Sequence, residues 1–245
     1  MIKANLDYSR ENPSQDYTEL LTEYKMMHKA SDGMFNGRSL VKFITIIDNF
    51  IKKYNCESLL DYGCGKAVLY TDNFKKVADV PEITKPIHEI WGIEKFKLFD
   101  PGYPEHDTLP KDELFDMVIS TDVLEHIPST DLDWVIREIF SYSSNVVFLN
   151  IACMQALKRL KDGRNAHISL YTSGEWLQFI ARITEDFPYL TVYIFADEFT
   201  EDGVLETNGF KIIPRPTIIP LIKEEQPMRE ASDFEHKSDI VQRWD

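Results

Sequence analysis

The chain contains no apolar run approaching the roughly 18 residues of a membrane span. Its first residues, Met1-Ile2-Lys3-Ala4-Asn5-Leu6-Asp7, lack the apolar centre of a signal peptide. The expectation is a cytoplasmic protein with no membrane partner. Cysteine is scarce: Cys56, Cys64 and Cys153 are an odd set without a CxxC pair, which by spacing excludes a disulfide framework and a zinc site. The six histidines (His28, His88, His106, His126, His167, His236) show neither HxxxH nor HExxH, so metal-ligand spacing is absent and no metal is expected. Positive charge is also short, with 27 Lys and Arg against 41 Asp and Glu and a formal charge of -14. Such a surface repels phosphate backbones unless its cations cluster, so nucleic acid is a disfavoured partner.

What is present is a core. The 245 residues are 43% hydrophobic, which suits one large α/β unit better than two cramped domains. Residues 14–30 carry Tyr17, Leu20, Leu21, Tyr24 and Met27 at helical spacing behind Ser14 and Asp16, and a second helix is predicted from Ser39 to Tyr54, burying Leu40, Phe43, Ile44, Ile47 and Phe50. Cys56–Tyr62 reads as a buried strand. After a polar, proline-punctuated stretch from Thr71 to Pro86, Ile90–Ile93 and Phe96–Asp100 read as strand, with a turn at Pro101–Pro104. Phe115–Ser120 and Asn145–Ile151 are further strands, residues 130–140 and 174–184 helices, and Leu190–Phe195 and Gly209–Ile213 late strands forming an antiparallel edge. The alternation predicts a doubly wound, mostly parallel sheet. The expected organisation is an N-terminal helical cap over 1–54, a core over 55–219 and a charged tail over 220–245.

Chemistry concentrates in two segments. Leu59-Leu60-Asp61-Tyr62-Gly63-Cys64-Gly65-Lys66-Ala67 is an apolar strand ending in an acid and then Gly-x-Gly; glycines there permit a tight turn and bring a ligand close to the backbone where the next helix begins. This loop resembles the first motif of class I S-adenosylmethionine-dependent methyltransferases, with Ala67 in place of a third glycine. Phe115-Asp116-Met117-Val118-Ile119-Ser120-Thr121-Asp122-Val123-Leu124-Glu125-His126-Ile127 resembles the fourth-strand motif of the same family, with its V-L-E-H-I ending. The resemblance covers roughly Leu59 to Leu177. It implies a Rossmann-like methyltransferase fold, S-adenosylmethionine as cofactor, and methyl transfer to an oxygen or nitrogen of a small polar acceptor. The loop residues Asp61, Tyr62, Gly63, Cys64 and Gly65, together with Thr121 and Asp122, would then bind the cofactor.

A carboxylate at the end of the second strand reads ribose hydroxyls in such folds. Asp100, ending the run from Phe96, is favoured over Glu94 inside it. Gly65 to Asp100 is 35 residues, longer than the ~20 usual for such units, so Thr71–Pro86 reads as an insertion. Asp100 to Phe115 is only 15, too short for a helix and a third strand, so that edge of the sheet should be reduced and Asp107-Thr108-Leu109 is only a weak candidate for adenine contact. Asp100-Pro101-Gly102-Tyr103 looks like the D-P-P-Y of adenine methyltransferases but precedes the place that motif occupies, which makes base methylation a minor reading.

On the acceptor side, His126 is one candidate base, beside Asp122. His167 leads, because it lies in the polar loop Lys161–Ser169 before Thr172-Ser173-Gly174-Glu175-Trp176-Leu177, a place from which a histidine of the resembling family faces the active site. Arg164 is a candidate clamp for an acceptor carboxylate or phosphate. Tyr24, His28, Phe35 and Asn36 are candidate pocket walls. Competing readings are a cofactor-using enzyme of another type (aminopropyl transfer or cofactor cleavage), a non-catalytic binding subunit, and NAD binding, the last disfavoured because GxGxxG is missing.

Overall fold

A computed structural model describes residues 2, 7–31, 33–78, 80–81, 83–213 and 217–220. Strand β1 (Ser58–Tyr62) is buried along its whole length, as a central strand covered on both faces must be. It pairs in parallel with β2 (Lys95–Phe99) on one side and β3 (Phe115–Thr121) on the other. Next to β3 lie β4 (Ser143–Ala152), β5 (Thr191–Phe199), β6 (Leu205–Ile213) and β7 (Thr217–Pro220), giving the order β2-β1-β3-β4-β5-β6-β7. The first five strands are mutually parallel, and β6 and β7 are antiparallel additions.

Alternation along the strands divides the core into two layers. Leu60, Val118, Val147 and Leu149 pack with α4 (Leu132–Ser141) and α5 (Ser173–Thr184), whereas Leu59, Met117, Ile119 and Phe148 pack with α2 (Ile44–Tyr54) and α3 (Ile87–Trp91). Helices on both faces of a mostly parallel sheet make this a doubly wound, Rossmann-like α/β fold. The chain runs outward from β1 to β2 and then returns to β3 on the far side of β1, so the order reverses at β1. Ligands of such sheets bind beyond the carboxyl ends of the strands flanking that reversal. The edge is reduced as expected: among the described residues β2 ends the sheet, and residues 101–114 contain no strand or α-helix.

Helix α1 (Gln15–Ala30) starts where the sequence places it, with the Ser14 side chain accepting from the Tyr17 N–H. The second predicted helix is shorter than expected. Residues Arg38–Phe43 form a 3-10 segment entered through Gly37 at φ +87°, and α2 begins only at Ile44; the five apolar residues expected inside are nevertheless all buried. Two expectations fail outright. Ile90-Trp91-Gly92-Ile93 is not strand, because Pro86 opens and left-handed Gly92 closes the five-residue helix α3, whose Trp91 donates its indole N–H to the Ile44 carbonyl. Nor does a helix follow the glycine loop: Ala67 adopts φ +49° and the chain continues as 3-10 turns at Val68–Tyr70 and Phe74–Lys76. The late strands appear as expected, except that β5 runs parallel to β4 and only β6 and β7 are antiparallel. The tail from residue 221 lies outside the described residues.

Candidate functional site

A cavity of about 170 Å³ opens at the carboxyl ends of β1, β2 and β3, at the reversal of strand order. Its floor is Asp61–Gly65, Asp100–Gly102 and Thr121–Val123, and its roof is the inner face of α1 with Phe35. All eight residues named from the sequence as cofactor ligands (Asp61, Tyr62, Gly63, Cys64, Gly65, Asp100, Thr121 and Asp122) line it, although they come from three separate strand ends. Among the described lining residues there is no Lys or Arg, whereas Asp61, Asp100 and Asp122 are all present.

The glycines are needed, though not as the sequence suggested. A Cβ on Gly63 would stand 2.3 Å from the Val123 side chain, and one on Gly65 only 2.1 Å from the Phe35 carbonyl oxygen; both residues have positive φ. The close approach is thus made by the chain itself. The loop's N–H groups are also spoken for: Gly63 and Cys64 donate to the Phe99 carbonyl, Gly65 to Asp100, Lys66 to the Phe35 carbonyl and Ala67 to the Cys64 carbonyl. With no helix after it, the loop is not a helix N-terminus and offers no phosphate cradle.

Asp100 follows β2 directly and accepts from the Gly65 N–H (2.9 Å) on one oxygen and the Gly102 N–H (2.7 Å) on the other. It therefore ties the second strand end to the glycine loop, and each oxygen keeps a further lone pair for a ligand hydroxyl. Burial raises its pKa while these backbone donors oppose the rise. Glu94 lies exposed ahead of β2, outside the cavity lining. Asp61 accepts from the Tyr70 hydroxyl (2.9 Å), and burial pushes its carboxyl up to about 7. His28 of α1 is also buried, and burial with nearby Lys66 depresses it to about 4, so it is neutral at pH 7.

At the far wall Asp122 sits at φ +59° and accepts from the Ser39 hydroxyl (2.7 Å). Burial would raise its pKa, but His126, the Ser39 hydrogen bond and His167 outweigh this and hold it below the ordinary value. His126 closes the 3-10 turn Leu124–His126, with Nδ1 2.8 Å from the Tyr24 hydroxyl and 2.9 Å from the Ala166 carbonyl. The Tyr24 hydroxyl also reaches the Ala166 carbonyl at 3.5 Å, and in the tautomer in which Nδ1 donates to that carbonyl the lone pair lies on Nε2. His167 makes the equivalent bond from Nδ1 to the Met154 carbonyl, and the two imidazole rings meet edge to face at 4.8 Å. The topology therefore joins the two candidate bases, far apart in sequence, into one pair. Sequence reasoning missed Glu125 beside them: it is 0% exposed, accepts the Ala152 N–H on Oε1, and its carboxyl otherwise meets only that of Asp122, which with burial holds its pKa well above the ordinary value. An acid inside an apolar strand-to-turn run was the available signal.

Other candidates lie elsewhere. Arg164 is outside the cavity lining, 44% exposed, and forms a two-bond pair with Asp16 of α1 (2.7 and 2.9 Å) plus a bond to Asp162. Its place is explained by joining the 153–169 loop to α1, not by an acceptor clamp. Asp107-Thr108-Leu109 is absent from the lining as well. Tyr24, His28 and Phe35 do form the roof, while Asn36 instead holds the Gly33–Arg38 turn through its side chain. No protein-family model and no curated protein matches this chain.

Proposed function

We propose that the protein is an S-adenosylmethionine-dependent methyltransferase that acts on an oxygen or nitrogen of a small polar acceptor. The observation that carries the reading is the convergence of the Gly63–Gly65 loop, Asp100 and Thr121–Asp122, each from a different strand end, on one cavity at the strand-order reversal. The charge of that cavity fits the ligand. Three carboxyl groups without a lining Lys or Arg disfavour a polyphosphate and suit a cation carrying hydroxyl groups. This separates an adenosyl sulfonium from a dinucleotide, whose pyrophosphate would need the missing helix N-terminus.

The bound cofactor supplies an electrophilic methyl group; the chain's task is to hold the partners and exclude water. Asp100 accepts ribose hydroxyls on its spare lone pairs, and Asp122, whose pKa is held below the ordinary value, makes the wall that favours positive charge. The roof of Tyr24, His28 and Phe35 shields the reacting groups, and alignment of this kind is worth on the order of 7–11 kcal/mol. The Nε2 atom of His126, which lines the cavity and whose pKa burial lowers, accepts the acceptor's proton where one must leave, while His167 stands behind it, outside the lining.

Calorimetric titration with S-adenosylmethionine tests the reading. Binding in the micromolar range is expected, weakened roughly 100-fold in Asp100→Ala by loss of charge-assisted hydrogen bonds, and absence of binding to the wild-type chain refutes it. Product analysis then separates outcomes. S-adenosylhomocysteine marks methyl transfer, methylthioadenosine marks an enzyme of the other type, and binding without turnover marks a non-catalytic subunit.

A further inference from the structure

The far wall of the cavity has the composition of a cation site, although no sequence spacing announced one. Asp122, His126 and His167 each offer a ligand atom, and the three atoms lie within 4.8 Å of one another. Two features separate this cluster from a chance meeting of polar groups. Each imidazole is fixed by a backbone carbonyl at Nδ1, Ala166 for His126 and Met154 for His167, which leaves both Nε2 atoms as lone-pair donors. That is the outer arrangement by which metal-binding histidines are commonly oriented. Beside them stands Glu125, fully buried, with Oε2 given no hydrogen-bond partner except the neighbouring Asp122 carboxyl, and two carboxyls buried against one another are costly without a cation.

The cluster is also held on stiff supports. The segment carrying Asp122 and His126 is joined to the segment carrying His167 by the Ser169 N–H to the Glu125 carbonyl (2.9 Å) and by the Ser169 hydroxyl to the Ile127 carbonyl. Asp122 and His126 line the cavity, which gives an ion a way in and leaves coordination positions facing the open space. Two imidazoles and one carboxylate, with open positions, suit a divalent transition ion such as Mn²⁺, Fe²⁺, Co²⁺ or Zn²⁺, whereas an oxygen-only set would suit Mg²⁺ or Ca²⁺.

We infer that Asp122, His126 and His167 form a binding site for a divalent transition-metal cation, with Glu125 as the adjacent carboxyl that orients or completes it. Bonds of roughly 2.0–2.2 Å place ligand atoms about 3.4 Å apart around such an ion, so binding draws the three groups inward by an ångström or so. With the ion in place the two Nε2 lone pairs no longer accept a proton, which makes metal ligation and general-base action mutually exclusive states of the same pair. The site does not depend on the adenosyl reading, since the measurement below uses no cofactor.

The test is a Co²⁺ titration of the chelator-stripped full chain, followed by visible absorption and calorimetry. One ion per chain is expected, with d–d bands of nitrogen and oxygen ligation and no thiolate charge-transfer band. Asp122→Asn and His167→Gln, which keep shape and most hydrogen bonds, should each weaken binding roughly 100-fold. Glu125→Gln should weaken it about 10-fold, as loss of an outer-shell partner does. His106→Ala, outside the cluster, should bind as wild type. Each variant's metal-free unfolding curve reports whether it is folded, and Co²⁺ should raise the wild-type melting temperature but not that of the His126→Gln/His167→Gln double variant. No stoichiometric binding by the wild-type chain, a thiolate band, or binding that survives in the double variant overturns the assignment.

Discussion

Replacing Gly65 by alanine is the sharpest test of how the glycine loop is built. Gly65 and Gly92 both adopt left-handed backbone, at φ +57° and +66°, but a Cβ at Gly92 meets nothing within 4 Å while one at Gly65 stands 2.1 Å from the Phe35 carbonyl oxygen. The conformational part is shared. Alanine in this region costs about 1–2 kcal/mol, partly offset by the ~0.4–1 kcal/mol gained from a stiffer unfolded chain, so Gly92→Ala should destabilise by about 1 kcal/mol. Gly65→Ala adds a steric part. The Phe35 oxygen must retreat by more than an ångström, which breaks its 2.6 Å bond from the Lys66 N–H and pulls the Phe35 ring from His28 (4.5 Å between centroids) and Tyr24 (5.7 Å). A hydrogen bond of about 1 kcal/mol and two aromatic contacts of about 0.5–1.5 kcal/mol each predict a further loss of about 2–4 kcal/mol. Urea unfolding at pH 7 measures both variants against wild type. If Gly65→Ala costs no more than Gly92→Ala, the claim that Phe35 is what demands a glycine is wrong.

Three further outcomes follow from buried charge. Asp61 binds its proton more tightly folded, at about 7, than unfolded, near 3.8; its stabilising effect is complete below pH 3.8 and lost as pH rises through 7, up to about 4 kcal/mol. Asp61→Asn should remove that slope in pH-dependent unfolding, and an unchanged slope would refute the shift. His28 is depressed to about 4 from 6.5, so acid favours the unfolded chain between pH 6.5 and 4 by up to about 3 kcal/mol, and His28→Gln should flatten that limb. Arg10 pairs with Glu138, whose Oε1 also accepts from the Tyr62 hydroxyl at 2.6 Å. A double-mutant cycle of Arg10→Ala and Glu138→Ala should give a coupling of about 1–3 kcal/mol, and additive losses would show the pair to be inert.

Strands announce themselves by composition, which is why β1, β3 and β4 were legible within two residues or so: their apolar runs are buried on both faces. Asp100 was legible too, as the acid ending such a run. Ile90–Ile93 was misread because a short apolar segment has no period of its own, and Pro86 with Gly92 decided in favour of a helical turn. The helix expected after Gly65 fails because Gly65 and Ala67 both take left-handed backbone, a local conformation that sequence spacing does not encode. The pairing of His126 with His167 was hidden for another reason. Spacing rules detect ligands on one element, whereas these two are brought together by β4 and the loop that follows it. Arg164 shows the converse, since a loop dense in functional side chains was spent on a contact with Asp16.

The missing third strand has a consequence for how the molecule behaves among its neighbours. Among the described residues it leaves β2 as the border of a seven-stranded sheet, with a row of backbone groups on which another chain could pair. That border is only five residues long and alternates Lys95 and Lys97 with Phe96 and Leu98. With Lys95 held by Glu113 and Lys97 two residues on, a second copy laid alongside meets a short row of charged side chains and not a long apolar one, a device that discourages edge-to-edge pairing.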